Sequence, residues 1–573
     1  MTLSYSIDTS DPRTASFDSN TASCHWDRAA VARAFDHFQD SNHSSQRQYA
    51  KEHDIPRATL GDWLREDFPE HLDPDLVCFF RGSAGHAFLR RLVLALLVVF
   101  HHRNAVGLRP LGDFLELVEL DHFVGSSYGA LYSLDARLQD NLILFGKEQR
   151  QTLAAAMAAT GTTKDIVLCP DENFHGPHIC LLAIEPVSNF IVVEAYADQR
   201  DSVTWAQAIN TGLDGLPVHL VCLTSDQASG LVCCALKELE VQHHPDLMHL
   251  QCNLGKPILL PLARPISQAE KDLEKLKEKE HRLEQADQKQ PGSLTIDRAV
   301  AHIHAEEQAK ADLEQARQRL EGAVEQLREV SRVYHPFDRE TGEPVTAEQM
   351  QARLGKALER LQEVVEEAGL GERAQQAVPK ARAGWVVLLV GCLSWYWTLV
   401  RQKLEKLDLS EEQEQVLIQS LMAGYYWEMA SDKEKDAEQR QRLKEMAVRL
   451  QEKAWGKGSA LAAVSAAEKK AVQAVTRACA ELFQRSSSCV EGRNGRLSLF
   501  HHGQTRLSEK RLQTLTVIHN YVVRRDDGTT AAERFFGHKH RDAFAWLLQR
   551  LPDLPCPAAK RRKQIAGEGP VAA

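Results

Sequence analysis

The chain has 573 residues, 43% of them hydrophobic and 26% charged, a globular balance too long for one ordinary core and too apolar for a disordered chain. Its formal net charge of −10 carries no whole-chain signature of nucleic-acid binding, so charge has to be read by segment. The 12 cysteines form no CxxC pair, which excludes a thiolate zinc ribbon and favours reduced core thiols.

Residues 1–25 are rich in Ser, Thr and Asp, have no apolar core segment and read as a disordered leader, not a secretory signal. Within 26–70, the stretch Ser45-Gln-Arg-Gln-Tyr-Ala-Lys-Glu-His-Asp-Ile-Pro-Arg-Ala-Thr-Leu-Gly-Asp-Trp63 has helix-turn-helix spacing. Small Ala50 permits close helix approach, Ile55 fills the turn, Leu60 and Trp63 anchor the second helix, and Pro56 suits its start. Arg57 and Thr59 then face outward where base edges would be read. Residues 71–160 read as helical, and 108–134 is a possible second DNA-binding unit through Val124-Gly-Ser-Ser-Tyr128. Two apolar stretches, 88–100 and 383–400, are expected to be buried helices; the first is too short to span a bilayer and the second is borderline.

From Asp165 the pattern turns to period two. Strands are expected over 166–169, 178–184, 190–196 and 218–223, with a helix capped by Ser202 or Thr204 before the fourth, and a further apolar run at 247–250. After Pro261 everything to about 484 reads as helical. It opens with Glu/Lys/Gln-rich segments over 267–333 that predict an antiparallel coiled-coil hairpin. Trp385, Trp395, Trp397 and Trp427 within it are expected to pack in its core. The segment 485–525 holds eight basic residues, Arg485, Arg493, Arg496, Arg506, Lys510, Arg511, Arg524 and Arg525, against Glu491 and Glu509 alone, a field suited to phosphate. Lys560-Arg-Arg-Lys563 in the tail reads as a flexible electrostatic arm.

Three strands, a crossover helix and a fourth strand describe the start of an RNase H-like sheet, in which two carboxylates lie on neighbouring central strands and a third on a later helix. Asp171 and Asp226 follow the first and fourth strands, and Glu491 stands beyond the helical stretch. Each has a plain alternative: Asp171 a turn residue with Glu172 the functional acid, Asp226 a helix cap, Glu491 an exposed helical acid. The segment Ser486-Ser-Ser-Cys-Val-Glu-Gly-Arg-Asn-Gly-Arg-Leu-Ser498 resembles the one carrying the last acid of bacterial insertion-sequence DDE transposases. The stretch from Leu515 to Gly537 resembles their C-terminal region, and Asp246-Leu-Met-His249 is similar to an Asp/Cys-x-x-His pattern found in some of them. One major group's Tyr-x2-Arg-x3-Glu-x6-Lys signature is not met, since Ser487 and Ser498 stand at its Arg and Lys positions.

The resemblance implies a multidomain α/β plus all-α protein: an RNase H-like mixed sheet (161–261 and 485–550) interrupted by a helical insertion (262–484), with an N-terminal helix-turn-helix. It implies two Mg²⁺ or Mn²⁺ ions held by Asp171, Asp226 and Glu491, with Asp246 and His249 as further catalytic candidates. DNA partners, element ends and target, would be held by Arg57, Thr59, Arg485, Arg493, Arg496, Arg506, Lys510 and Arg511. A homo-oligomer on DNA, no membrane association and a cytoplasmic, nucleoid-associated bacterial location complete the expectation.

Overall fold

A computed structural model describes residues 28–40, 45–64, 68–69, 71–161, 163–289, 295–501, 507–551 and 553–557. The leader 1–25, Arg506, Lys560–563 and the Trp63 side chain lie outside the described residues. The protein is mostly helical, with one mixed five-stranded sheet.

Helices Arg28–Asp40, Gln46–Glu52 and Arg57–Leu64 pack around Ala34, Tyr49, Ala50, Ile55 and Leu60. The Tyr49 hydroxyl donates to Ala34 O at 3.1 Å, so the large ring enters the core with its polar tip satisfied. Asp54 takes the left-handed conformation in the turn (φ 51°), which Asp tolerates better than most residues. Arg57 is exposed and Thr59 half-buried.

The sheet comprises β1 (Lys164–His175), β2 (His178–Glu185), β3 (Phe190–Ala197), β4 (Val218–Ser225) and β5 (Gln242–Pro245), ordered β3-β2-β1-β4-β5. Neighbours β1/β2 and β2/β3 are antiparallel; β1/β4 and β4/β5 are parallel. Both faces are covered. Ile166, Leu168 and Leu223 pack with Trp205 and the Tyr128–Ala158 helix, while Cys169, Leu182 and Ile184 pack with Val490. The outer edge at Ile191 is closed by Asn520, whose amide accepts from Ile191 N at 2.9 Å and donates to Ile191 O at 3.0 Å, blunting a sheet edge.

Several boundaries differ from the sequence expectation. Residues 247–250 are not a strand; the fifth strand is Gln242–Pro245, and Leu247 opens a helix that runs to Lys289. Pro257, Pro261 and Pro265 lie inside that helix, so Pro261 is no boundary. Their four-residue spacing sets the three missing donors along one side, and the remaining ladder carries the helix through. The helix after β3 is capped by Asp201, whose carboxylate accepts from Thr204 N, rather than by Ser202 or Thr204. The Val124–Tyr128 stretch serves packing: Gly125 N donates to Pro555 O at 2.8 Å, and a Cβ there would meet Cys556 O at 2.7 Å.

The expected hairpin pairs Leu247–Lys289 with Ile296–Val333. Gln251 donates to Leu327 O and Glu270 pairs with Arg317, which fixes the antiparallel sense. The helices that follow, including Ala347–Glu367, Glu372–Leu404 and Ala423–Lys433, build one core around Tyr396, Tyr426, Trp427 and Phe483. Trp427 is fully buried, Trp397 donates to Val345 O at 3.0 Å, Trp395 meets the His244 ring edge-on, and Trp385 packs partly buried against the same core. Two helical stretches, Ser83–Arg103 and Glu372–Leu407, are long and apolar enough to cross a membrane; Leu97, Leu389, Leu393 and Val400 within them are buried in protein cores.

Candidate active site

Pairing between the parallel neighbours β1 and β4 ends at Leu168 opposite Leu223. Asp171 and Asp226 each lie three residues further along the chain, Asp171 within β1 and Asp226 just past the end of β4. Asp171 is not at a strand end. It sits where β1 outruns β4 and continues, paired with β2 alone, to His175. Asp226 directly follows β4, and its carboxylate accepts from Ala228 N at 3.0 Å. The plain capping alternative is thus partly realised there.

Strand alternation separates Asp171 from Glu172. Asp171 shares its face with Cys169, the face covered by the Ser488–His501 helix. From that helix Asn494 donates to Asp171 Oδ2 at 3.1 Å. Glu172 turns to the opposite face, where its nearly buried carboxylate accepts from the Trp205 indole at 3.1 Å and lies 3.9 Å from Arg200. Glu491 is exposed in the first turn of the Ser488–His501 helix. Asn494, three residues on, occupies the same helical face. Sequence reasoning missed Asn494, although the Glu-x-x-Asn spacing was available to reveal it.

Burial, followed by the negative charges of Glu172, Asp226 and Glu491, pushes the Asp171 carboxyl up to about 7, against a hydrogen bond from Glu172 N–H. The same field reaches His249. Burial pulls its pKa down, but the Asp246 carboxylate and the charges of Asp171 and Asp226 outweigh burial and raise it. His249 Nδ1 lies 3.2 Å from Asp246 Oδ2. The three carboxylates are more open than a one-ion cage. Among the described residues, three ligand atoms lie within 4.8 Å of one another at His101–His102–Asp135 and at Glu280–His302–Glu306, not here. Uncompensated like charges repel, and a two-ion site spans about 4 Å between metals.

Asp246 is a brace. Fully buried, it accepts from Met248 N at 2.7 Å and from both the backbone N–H (2.9 Å) and hydroxyl of Ser487, tying the start of one long helix to the approach to Glu491. Ser487, which stands at the Arg position of the unmet signature, therefore has a structural partner.

The basic cluster of 485–525 is largely engaged within the fold. Arg493 is buried and makes two bonds to Glu194, at 2.7 and 2.6 Å. Arg485 donates to Ser331 O and Tyr334 O, and Arg525 to Val187 O. Lys510 pairs with Asp140 at 2.7 Å, and Arg511 is half-buried near Phe500. Arg485 and Arg493, expected to contact phosphate, here direct donors to protein oxygens and anchor the fold. Arg496 remains exposed on the Glu491 helix. Two groups the sequence reading passed over, exposed Phe174 at the far end of β1 and Arg200 5.5 Å from its ring, flank Glu172.

A family of unknown function (DUF6399) matches residues 417–564. That match covers Glu491, Arg493 and Asn494 but neither Asp171 nor Asp226. No curated protein and no solved structure matches the chain.

Proposed function

We propose that the protein is a DNA transposase of the acidic-triad type, cutting DNA strands at element ends and joining them to target DNA. The observation that carries this reading is the convergence of Asp171, Asp226 and Glu491 in one electrostatic field: one acid within β1, one just past its parallel neighbour β4, the third on the helix that covers β1. The strand order, three antiparallel strands followed by two parallel ones, supports an RNase H-like reading of the sheet, as does the helical body that separates Asp226 from Glu491.

The donor set fits Mg²⁺ or Mn²⁺. It consists of hard carboxylate oxygens with unbalanced negative charge, beside which Asn494 Oδ1 is buried without a hydrogen-bond partner. Asp171, Asp226 and Glu491 would hold the ions, which when bound supply Lewis acidity to the attacking and leaving oxygens. Asn494 orients Asp171. His249, inside the field of both aspartates that raises its pKa, offers its ring to a phosphodiester, while Asp246 holds that ring and, through Ser487, the height of the Glu491 helix. Exposed Arg496 and Arg200 hold phosphates, and Arg57 and Thr59 on the N-terminal helices read the duplex as a helix-turn-helix. Joining is an in-line displacement: a released 3′-hydroxyl attacks a target phosphorus as the P–O bond to the departing strand breaks. The hairpin is the contact surface for a homo-oligomer on paired ends.

Calorimetric titration with Mn²⁺ tests the site. Wild type is expected to take up two ions, and Asp171→Ala to lose this uptake while remaining folded. Equal Mn²⁺ binding by both proteins would remove the carboxylates from the reading.

A further inference from the structure

Away from the carboxylates, His101 and His102 lie side by side in a π-helical turn, Leu97–Arg103, and face Asp135 on the Tyr128–Ala158 helix. All three are buried, at 5%, 1% and 2% exposure. Their ligand atoms fall within 4.8 Å of one another: His102 Nε2 is 2.6 Å and His101 Nε2 3.7 Å from the two Asp135 oxygens.

A hydrogen-bonded brace explains only part of this. His101 Nδ1 is 2.6 Å from Val106 O, which fixes the proton on that nitrogen and turns the Nε2 lone pair toward Asp135. A lone pair facing a carboxylate has no proton to share, and His101 Nε2 is buried without a hydrogen-bond partner. Gln139 donates to Asp135 Oδ2 at 2.6 Å. A carbonyl orienting one imidazole and an amide orienting the carboxylate are the outer partners that metal ligands carry. π-Helical turns also recur at functional sites.

We propose that His101 Nε2, His102 Nε2 and Asp135 form a zinc-binding site separate from the acidic triad. Two imidazoles and a carboxylate suit Zn²⁺, and bonds of about 2.0–2.2 Å need only a small opening of the His102–Asp135 contact. The fourth position faces a cavity of about 570 Å³ lined by His101, Asp135, Tyr132, Lys510 and Arg511. Its basic side chains favour an anion or hydroxide as the fourth ligand.

Full-length protein stripped with chelator and kept in excess Mg²⁺ should take up one tightly held Zn²⁺ in calorimetry. His101→Gln and Asp135→Asn should each weaken that uptake by about 100-fold or more. His302→Gln, in the separate Glu280–His302–Glu306 group of the hairpin, should leave it unchanged. Far-UV circular dichroism checks that each variant is folded. Independently of any variant, Co²⁺ added to wild type should give the intense visible absorption of a tetrahedral site. Folded wild type that takes up neither ion tightly, or undiminished Zn²⁺ uptake by folded His101→Gln, overturns the proposal.

Discussion

In metal-free buffer, Asp171→Asn should be more stable than wild type at pH 8, by roughly 4 kcal/mol for a carboxyl moved from 3.8 to about 7. The sign follows from proton counting. Between the unfolded and folded pKa values the native state binds more protons than the unfolded chain, so wild-type stability falls as pH rises through that window. Below pH 4 the carboxyl is protonated in both states, and the two proteins should converge. The substituted amide carries no charge, so it escapes both burial of an anion and repulsion from Glu172, Asp226 and Glu491. Mg²⁺ should narrow the gap by binding the native wild type, by about 2.7 kcal/mol at a hundred times its dissociation constant. Melting temperatures from pH 4 to 8, with and without Mg²⁺, measure this directly. A destabilised Asp171→Asn at pH 8 would mean that the acids do not share one field. A site that weakens its own fold until a cation arrives is arranged for binding, not for stability.

The second large effect concerns Arg493. The Glu194 side chain is fully buried and is met by two Arg493 bonds and the Thr516 hydroxyl. Arg493→Ala leaves an uncompensated buried carboxylate, which costs about 3–5 kcal/mol. Arg496, three residues along the same helix, is exposed, and its removal should change stability by less than about 0.5 kcal/mol. Its effect should fall on DNA instead: weaker binding across sequences and a salt dependence shallower by about one unit of slope. Urea unfolding and binding isotherms at several salt concentrations separate the two arginines. An Arg493→Ala protein of wild-type stability but reduced DNA affinity would reverse their roles.

These two arginines show where the sequence stops being legible. A run of bases with few acids reads as a phosphate surface, yet the acid that answers Arg493 sits on β3, about 300 residues away in the chain. Local charge counts cannot see such a partner. The four strands from 164 to 225 were readable because period-two apolar runs and turn residues are local signals, and they delivered both aspartates to their positions. The fifth strand was not: Gln242-His-His-Pro has no apolar alternation, and its pairing with β4 is set by tertiary context. The Pro261 boundary failed because one proline reads as a stop, whereas three at helical spacing were carried within a single helix. Which of Asp171 and Glu172 faces Glu491 depends on which sheet face each helix covers, and that is settled by Val490 and Trp205 together.

Under the proposed function the triad cuts DNA. The most direct measurement is Mg²⁺-dependent cleavage and joining of a DNA fragment bearing the sequences that flank the gene, by wild type and by Asp226→Asn. Cleavage and joining are expected to fall at least about 1000-fold in the variant, the order of rate lost with a main electrostatic contributor, while DNA binding stays within about twofold. Full strand joining by Asp226→Asn would contradict the assignment.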